Sequence, residues 1–387
     1  FYAEAGGQVG DHGVLAWSGG KALVLDTVKG TDGVHRHRVS VKEGALGAGQ
    51  EIEAAVDESR REAIARHHTA THLLHAALRD IVGKHVAQAG SLVEPTRLRF
   101  DFSHTSSLSP EEIRKIERLV SQKILEDSHV RVVETTLEEA RALGAMALFD
   151  EKYAERVRMV EVEGFSRELC GGTHVGRTGE IGLVKILSEE AVGTGLRRIE
   201  AVAGLQALEL LETLSGEIRK LSEGLKVEPA ALVENVKRLQ DRARELEKQV
   251  ESLSGKLAHK TAEVLVGQKE ILAGIPVVLI PRIPEPGSGK ELADSLREMA
   301  GSGLIVLGDV VGGAPVVTAS VTQDLVTRGV HAGQIVKLLT AKIGGKGGGR
   351  PNFATGGGGD PSLLSADLLK TIVLEALEGL TAKQGKG

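Results

Sequence analysis

His68-Thr69-Ala70-Thr71-His72, inside the run from Glu58 to Ile81, and Cys170-Gly171-Gly172-Thr173-His174 are the stretches on which the reading of this 387-residue chain turns. The apolar spacing over 58–81 predicts one long helix, with Gly83 as its stop. Residues four apart on a helix share a face, so the imidazoles of His68 and His72 are aligned in advance, while Leu74, Leu78 and Ile81 fall roughly opposite. In the second stretch the two glycines let the backbone turn tightly enough for a thiolate and an imidazole to converge. A histidine pair alone is more often core or surface. Joined to Cys170, the chain's one cysteine, and to His174, the pair becomes a nitrogen and sulfur set typical of tetrahedral zinc. His67 reads as an outer neighbour or a surface residue, and His75, one turn beyond His72, as lining the site.

The chain is too long for one ordinary core and suits several domains. Short apolar runs between glycine-bearing turns predict a small antiparallel β-barrel over 1–57. An α+β zinc domain follows over 58–205, and within it Ser109-Pro110-Glu111-Glu112 has the cap, the first-turn proline and the glutamate of a capping box. Leu232, Val236, Leu239, Ala243, Leu246, Val250, Leu253 and Leu257 alternate spacings of four and three, a heptad seam that predicts a helical coiled-coil arm over 206–268 pairing with another helix. Past it, apolar runs at 275–280, 304–307 and 315–321 alternate with helical patterns, predicting an α/β domain over 269–387. The fold class is therefore α+β and multidomain.

Hydrophobic content of 41 % and charged content of 26 % are those of a soluble globular protein, and no apolar run approaches the ~20 residues of a membrane span, so no membrane partner is expected. A lone cysteine and the absence of a signal-like leader point to a reducing, cytoplasmic setting. The start at Phe1, inside a patterned segment, leads us to expect sequence upstream. A net charge of −5 excludes a coat of positive charge, so any RNA contact must be local. One local surface is available. From Leu325 to Gly359 there is no acidic residue, whereas Arg328, Lys337, Lys342, Lys346 and Arg350 are present. The stretch Gly344 to Gly359 reads as a loop too glycine-dense for a packed element. Because Lys346 is followed by Gly347, it lacks the phosphate-loop pattern. Its bare amides, with Lys346, Gly347, Gly348, Gly349 and Arg350, instead suit an RNA backbone.

The two histidine-bearing stretches together resemble the editing signature shared by alanyl-tRNA synthetases, free-standing alanyl-tRNA editing proteins and the N-terminal editing region of threonyl-tRNA synthetases. Phe1-Tyr2-Ala3-Glu4-Ala5-Gly6-Gly7-Gln8-Val9-Gly10-Asp11 resembles the glycine-rich motif that precedes editing in the alanyl branch, with Ala5 where serine is more usual. The glycine-rich tail resembles the C-terminal domain of alanyl-tRNA synthetases, a relative of the accessory domain in DHH phosphoesterases. The order of these features is that of the alanyl family. The resemblance implies Zn2+ as cofactor, a mischarged alanine-acceptor tRNA as partner, and a tRNA-binding C-terminal domain. It also implies that Gln88 belongs to the editing pocket beside Cys170, with Gln8, Asp11 and Thr69 as neighbours. A homodimer through the arm and the C-terminal domain is expected.

The chemistry has a reason. An alanine pocket cannot exclude glycine and rejects serine poorly, so a second, hydrolytic sieve is needed to cleave the wrong ester. Zinc there either activates water or positions substrate; the sequence leaves both open, because four protein ligands describe a closed site. The parent of such a piece resembles an ATP-dependent ligase, but nothing in this chain reads as an aminoacylation core. Two other readings stand beside this one: a free-standing trans-editing protein, and a noncatalytic zinc-containing module that binds tRNA and dimerises. DHH phosphoesterase chemistry is disfavoured because Arg66, not aspartate, precedes His67-His68.

Overall fold

The structure, a computed structural model, describes residues 1–146, 155–285 and 287–384. Contacts divide the chain into two compact units, Phe1–Pro229 and Ala230–Gly387. It is a mixed α and β protein with several antiparallel sheets.

The first unit opens with β1 (Gly13–Trp17), β2 (Gly20–Lys29), β3 (His35–Glu43) and β4 (Glu53–Val56). They pair antiparallel in the order β3-β2-β1-β4, an open sheet among the described residues where the sequence suggested a barrel. Asp57 then caps α1 (Glu58–Ile81) by accepting from the Arg60 amide at 3.0 Å. The helix ends before Gly83, which has a φ of 141°. Its middle is covered on every side, with Ile64, Leu73 and Leu78 wholly buried. Next come β5 (Gln88–Val93), β6 (Leu98–Ser103) and α2 (Pro110–Leu125), whose capping box between Ser109 and Glu112 is present in both directions.

The remainder of the unit is β7 (Val130–Thr136), α3 (Leu137–Ala142), β8 (Arg156–Val162), β9 (Ser166–Leu169), β10 (Val184–Gly193), β11 (Leu196–Ala203) and α4 (Leu205–Leu225). The sheet β10-β11-β6-β5 is antiparallel throughout and turns Leu98, Phe100 and Phe102 of β6 into a core shared with α1 and α2. A smaller antiparallel sheet, β7-β8-β9, ends one residue short of Cys170, so β9 aims the metal turn at α1.

The second unit begins with α5 (Leu232–Leu265) and continues through β12 (Glu270–Leu272), β13 (Ile275–Ile280), α6 (Gly289–Ala300), β14 (Leu304–Val311), β15 (Ala314–Val321), α7 (Gln323–Thr327), α8 (Ala332–Lys342), β16 (Lys346–Gly349), β17 (Phe353–Gly357) and α9 (Ala366–Gln384). The six strands run β12-β13-β14-β15-β17-β16; β13 and β14, joined through α6, are parallel and the other ladders antiparallel. Alternate residues bury on opposite faces, as the strand period of two requires. Val277, Leu304 and Val306 meet α8 and α9 on one side, and Val278, Ile305 and Leu307 meet α6 and the end of α5 on the other. Along α5 the seam residues Val236, Leu239, Leu246, Val250, Leu253 and Leu257 are exposed.

The glycine-rich stretch is not the loose loop that composition suggested. Its two halves form the β16–β17 hairpin at the sheet edge. A Cβ on Gly347 would meet Val336 Cγ1 at 2.8 Å and Thr340 Cγ2 at 3.0 Å, so the missing side chains let α8 lie against the strands. Among the described residues no helix is long and apolar enough to cross a membrane.

Candidate metal centre

Four side chains predicted from the sequence to share one ion do come together: the ligand atoms of His68, His72, Cys170 and His174 lie within 4.8 Å of one another. Two are carried by the rigid, buried middle of α1. The other two are held by the turn after β9, whose shape is gripped from outside. Arg158 of β8 donates through Nη1 to the carbonyls of Cys170 at 2.7 Å and Gly172 at 2.8 Å. Gly172 carries no side chain because a Cβ would run into the His68 ring.

Hydrogen bonds assign the protons. The Thr173 amide is a donor and can only meet an oxygen, so the Gln8 atom 2.8 Å away is Oε1. That same oxygen is 2.7 Å from His68 Nδ1, which must therefore carry a hydrogen and donate it. Thr69 Oγ1 gives its single proton to the Ala65 carbonyl at 2.9 Å and accepts from the Val175 amide at 3.2 Å. The His174 Nδ1 at 3.1 Å is left as a donor to it. Both rings thus present bare Nε2 lone pairs, at 3.3 Å and 3.4 Å from Cys170 Sγ. Two lone pairs and a sulfur with at most one proton repel one another unless a cation stands between them. A tetrahedral zinc, with bonds of about 2.3 Å to sulfur and 2.0–2.1 Å to nitrogen, sets sulfur–nitrogen edges of roughly 3.5 Å. The donor set fits such an ion in both chemistry and spacing.

Electrostatics favour a thiolate here. Burial alone would raise the Cys170 thiol, but the imidazoles of His68, His174 and His72 packed around it outweigh burial and hold the group far below the ordinary thiol range. Burial pushes His174 down to about 3, so it is neutral and able to ligate. Burial also opposes a charge on His72, yet the Glu168 carboxylate lifts it to about 9.

The remaining candidates separate. Gln8 and Thr69 touch ligand imidazoles directly. Gln88 lies on β5, where its Nε2 donates to Ser91 Oγ at 3.2 Å. It shares with Ser91 the face that pairs with Phe102 and Phe100. Asp11 is not at the cluster; fully buried, it accepts from the Tyr2 amide at 2.6 Å and from Arg61, tying the N-terminal segment to α1. Lys346, Gly348, Gly349 and Arg350 are exposed on the hairpin, with Gly347 half-buried. His67, expected outside or on the surface, is buried: its Nδ1 donates to the Ala63 carbonyl at 2.8 Å and its Nε2 accepts from the Ala203 amide at 3.0 Å. Sequence reasoning missed Glu168, which is buried, with Oε1 3.1 Å from His75 Nδ1 and Oε2 3.8 Å from His72 Nε2 without a hydrogen bond. Its position on β9 two residues before Cys170 was the available signal. Arg158 offered none.

Comparison with known proteins adds three family matches. Residues 157–200 match the threonyl and alanyl tRNA synthetase second additional domain, and 276–378 match the DHHA1 domain. Residues 1–60, in which no part of an aminoacylation core had been read, match the class II (A) tRNA synthetases. Alanine–tRNA ligase from Geobacillus kaustophilus is 45 % identical over 94 % of this chain and 41 % of that protein. The same enzyme from Halorhodospira halophila is 44 % identical over 98 % of this chain and 44 % of that protein. A solved C-Ala domain of the Aquifex aeolicus alanyl-tRNA synthetase matches 28 % of this chain and 96 % of its own at 22 % identity, with a TM-score of 0.25, too slight a superposition to carry any inference. The chain spans about two-fifths of the length of the curated relatives it matches. On these matches the chain is similar to the C-terminal part of alanyl-tRNA synthetases.

Proposed function

We propose that the chain is the editing part of a cytoplasmic alanyl-tRNA synthetase and hydrolyses the ester of seryl- or glycyl-tRNA mischarged on the alanine acceptor. Residues 58–205 would form the zinc editing domain, 1–57 its glycine-rich partner, 206–268 a coiled-coil arm and 269–387 the tRNA-binding domain. The observation that carries the reading is the convergence of two Nε2 lone pairs and one thiol beside His72.

His68, His72, Cys170 and His174 would hold Zn2+. When bound, it supplies Lewis acidity for ester hydrolysis. Gln8 and Thr69 keep the protons of His68 and His174 at Nδ1, and Arg158 keeps the turn closed. Water adds to the ester carbonyl carbon, the bond to the ribose oxygen breaks, and that oxygen leaves with a proton. Gln88 is assigned to orient the ester or the water. The arm's exposed seam suits a second copy of the chain. Lys346, Arg350 and the exposed glycine edge of β16 suit tRNA phosphates. The four-ligand count favours one rival, a structural zinc in a module that only binds tRNA.

Incubating the full chain with seryl-, glycyl- and alanyl-tRNA of the alanine acceptor, with and without chelator, separates the two. Selective, chelator-sensitive release of serine and glycine is the expected result. Zinc uptake without release supports the rival, and the Cys170→Ala variant releasing serine at the wild-type rate would remove the ion from the reaction.

A further inference from the structure

Gln8 reaches the metal centre from a distance of 60 residues in the chain to His68 and 165 to Thr173. It does so from a tight turn in which Ala5 and Gln8 exchange backbone hydrogen bonds, at 3.2 Å and 3.0 Å, with Gly6 and Gly7 at φ values of 57° and 80°. The turn is docked on β5. Val93 donates to the Gly7 carbonyl at 2.7 Å, and Val9 donates to the Val93 carbonyl at 3.2 Å. Ser91 fills the space that a Cβ on Gly7 would need. The Gln8 side chain is thereby fully buried. Its Oε1 takes three donors, His68 Nδ1–H at 2.7 Å, the Thr173 amide at 2.8 Å and Thr173 Oγ1 at 3.2 Å, while its Nε2 has no partner.

Leaving a buried amide nitrogen unpaired costs about 1–3 kcal/mol, so the geometry serves the oxygen. If the amide were turned over, Thr173 N–H would face an NH2 group and His68 would lose the acceptor that keeps its proton on Nδ1. Its lone pair would then no longer be held toward Cys170.

We infer that Gln8 is a positioning residue of the metal centre: it fixes the His68 tautomer and holds the metal turn, so that docking of the N-terminal glycine turn and binding of the ion stabilise each other. This rests on the proposed metal site. Linkage makes the effect mutual, because an ion that binds only the docked form stabilises that form, and the docked form raises affinity for the ion by the same factor.

Two variants of the full chain test it. Gln8→Met keeps the volume and removes the acceptor, whereas Gln8→Glu keeps the acceptor and removes the orphaned donor. Zinc affinity is measured against a competing chelator, the ligand field by the visible spectrum of the cobalt-substituted protein, and docking by hydrogen exchange at amides 6–9 with and without metal. Gln8→Met is expected to lose about 10–100-fold in affinity, the usual cost of an outer partner of a ligand histidine. Gln8→Glu is expected to match or exceed the wild type with an unchanged cobalt spectrum. Metal is expected to slow exchange at 6–9 in the wild type and in Gln8→Glu, but not in Gln8→Met. A Gln8→Met variant that holds zinc as the wild type does overturns the inference, as does a Gln8→Glu variant that loses the metal or a wild type whose exchange at 6–9 ignores it. A wild-type chain that takes up no zinc sinks the metal-site reading itself, a result separable from all of these.

Discussion

Gly172→Ala is the smallest change that should take the metal centre apart. A Cβ at this position lies under 3.0 Å from both Cε1 and Nδ1 of His68, and 2.8 Å from Gln8 Oε1. Carbon contacts settle near roughly 3.5–4.0 Å, so the ring must retreat by at least about 0.5 Å. Zinc sites tolerate ligand displacements of about 0.2 Å. His68 is therefore lost as a ligand. Its ring cannot simply swing aside, because it is buried on α1 and bonded to Gln8. A four-ligand structural zinc site is worth about 10–16 kcal/mol, and one ligand in four is then roughly 3 kcal/mol, about a hundredfold in affinity. Gly171→Ala supplies the control, since nothing lies within 4 Å of a Cβ there. Chelator competition should show the hundredfold loss for Gly172→Ala and no change for Gly171→Ala, with far-ultraviolet dichroism reporting that both fold. Equal zinc affinity in the two variants would refute the claim that these side chains share an ion.

Two further outcomes can be read without a tRNA editing assay. Burial holds His67 below its ordinary 6.5, so as pH falls through 6.5 the unfolded chain takes up a proton before the folded one does; stability is complete above 6.5 and declines below it, by up to about 1.4 kcal/mol per pH unit. In chelator, urea midpoints between pH 8 and 5 should fall less steeply for His67→Gln than for the wild type, and parallel curves would show that His67 does not titrate on unfolding. On the other unit, Arg350→Ala should weaken tRNA binding across sequences and lower the slope of log affinity against log salt by about one; an unaltered slope removes Arg350 from the RNA-facing surface.

What the sequence disclosed followed the range of the physics involved. Local rules were legible: Ser109 announces its helix through a side-chain cap that needs only three residues, and α1 runs over the span its spacing implies. The four donors were legible because each pair sits within one helical turn or one glycine turn. The outer partners Gln8 and Thr69 were named only through the family resemblance and not by a local rule, since Gln8 is brought to His68 by pairing along β5. Composition misled at Gly344 to Gly359. Glycine weakens a strand only where side chains would otherwise pack, and α8 supplies that packing, with the place of a Cβ on Gly333 taken by the Gly349 backbone. Glu168 was hidden for a different reason, because a carboxylate on a strand is ordinarily solvated and becomes informative only when it proves to be buried against two histidines.

If the proposed editing function holds, the burial of the four donors also decides from which side its substrate comes. His68 and His72 are buried under the body of the unit, whereas Cys170 and His174 are half-buried and Gly171 is exposed. Under the proposed editing function, an ester carried by the end of an RNA would therefore approach over the 170–174 turn, the segment that Arg158 and Gln8 clamp from two sides. A flexible turn there would let the thiolate and the imidazole part whenever the ester pressed against them. With its carbonyls and its amide already bonded, the turn keeps its shape, and in the proposed reaction the energy of substrate contact would be left for the reacting bond instead of reordering the ligands.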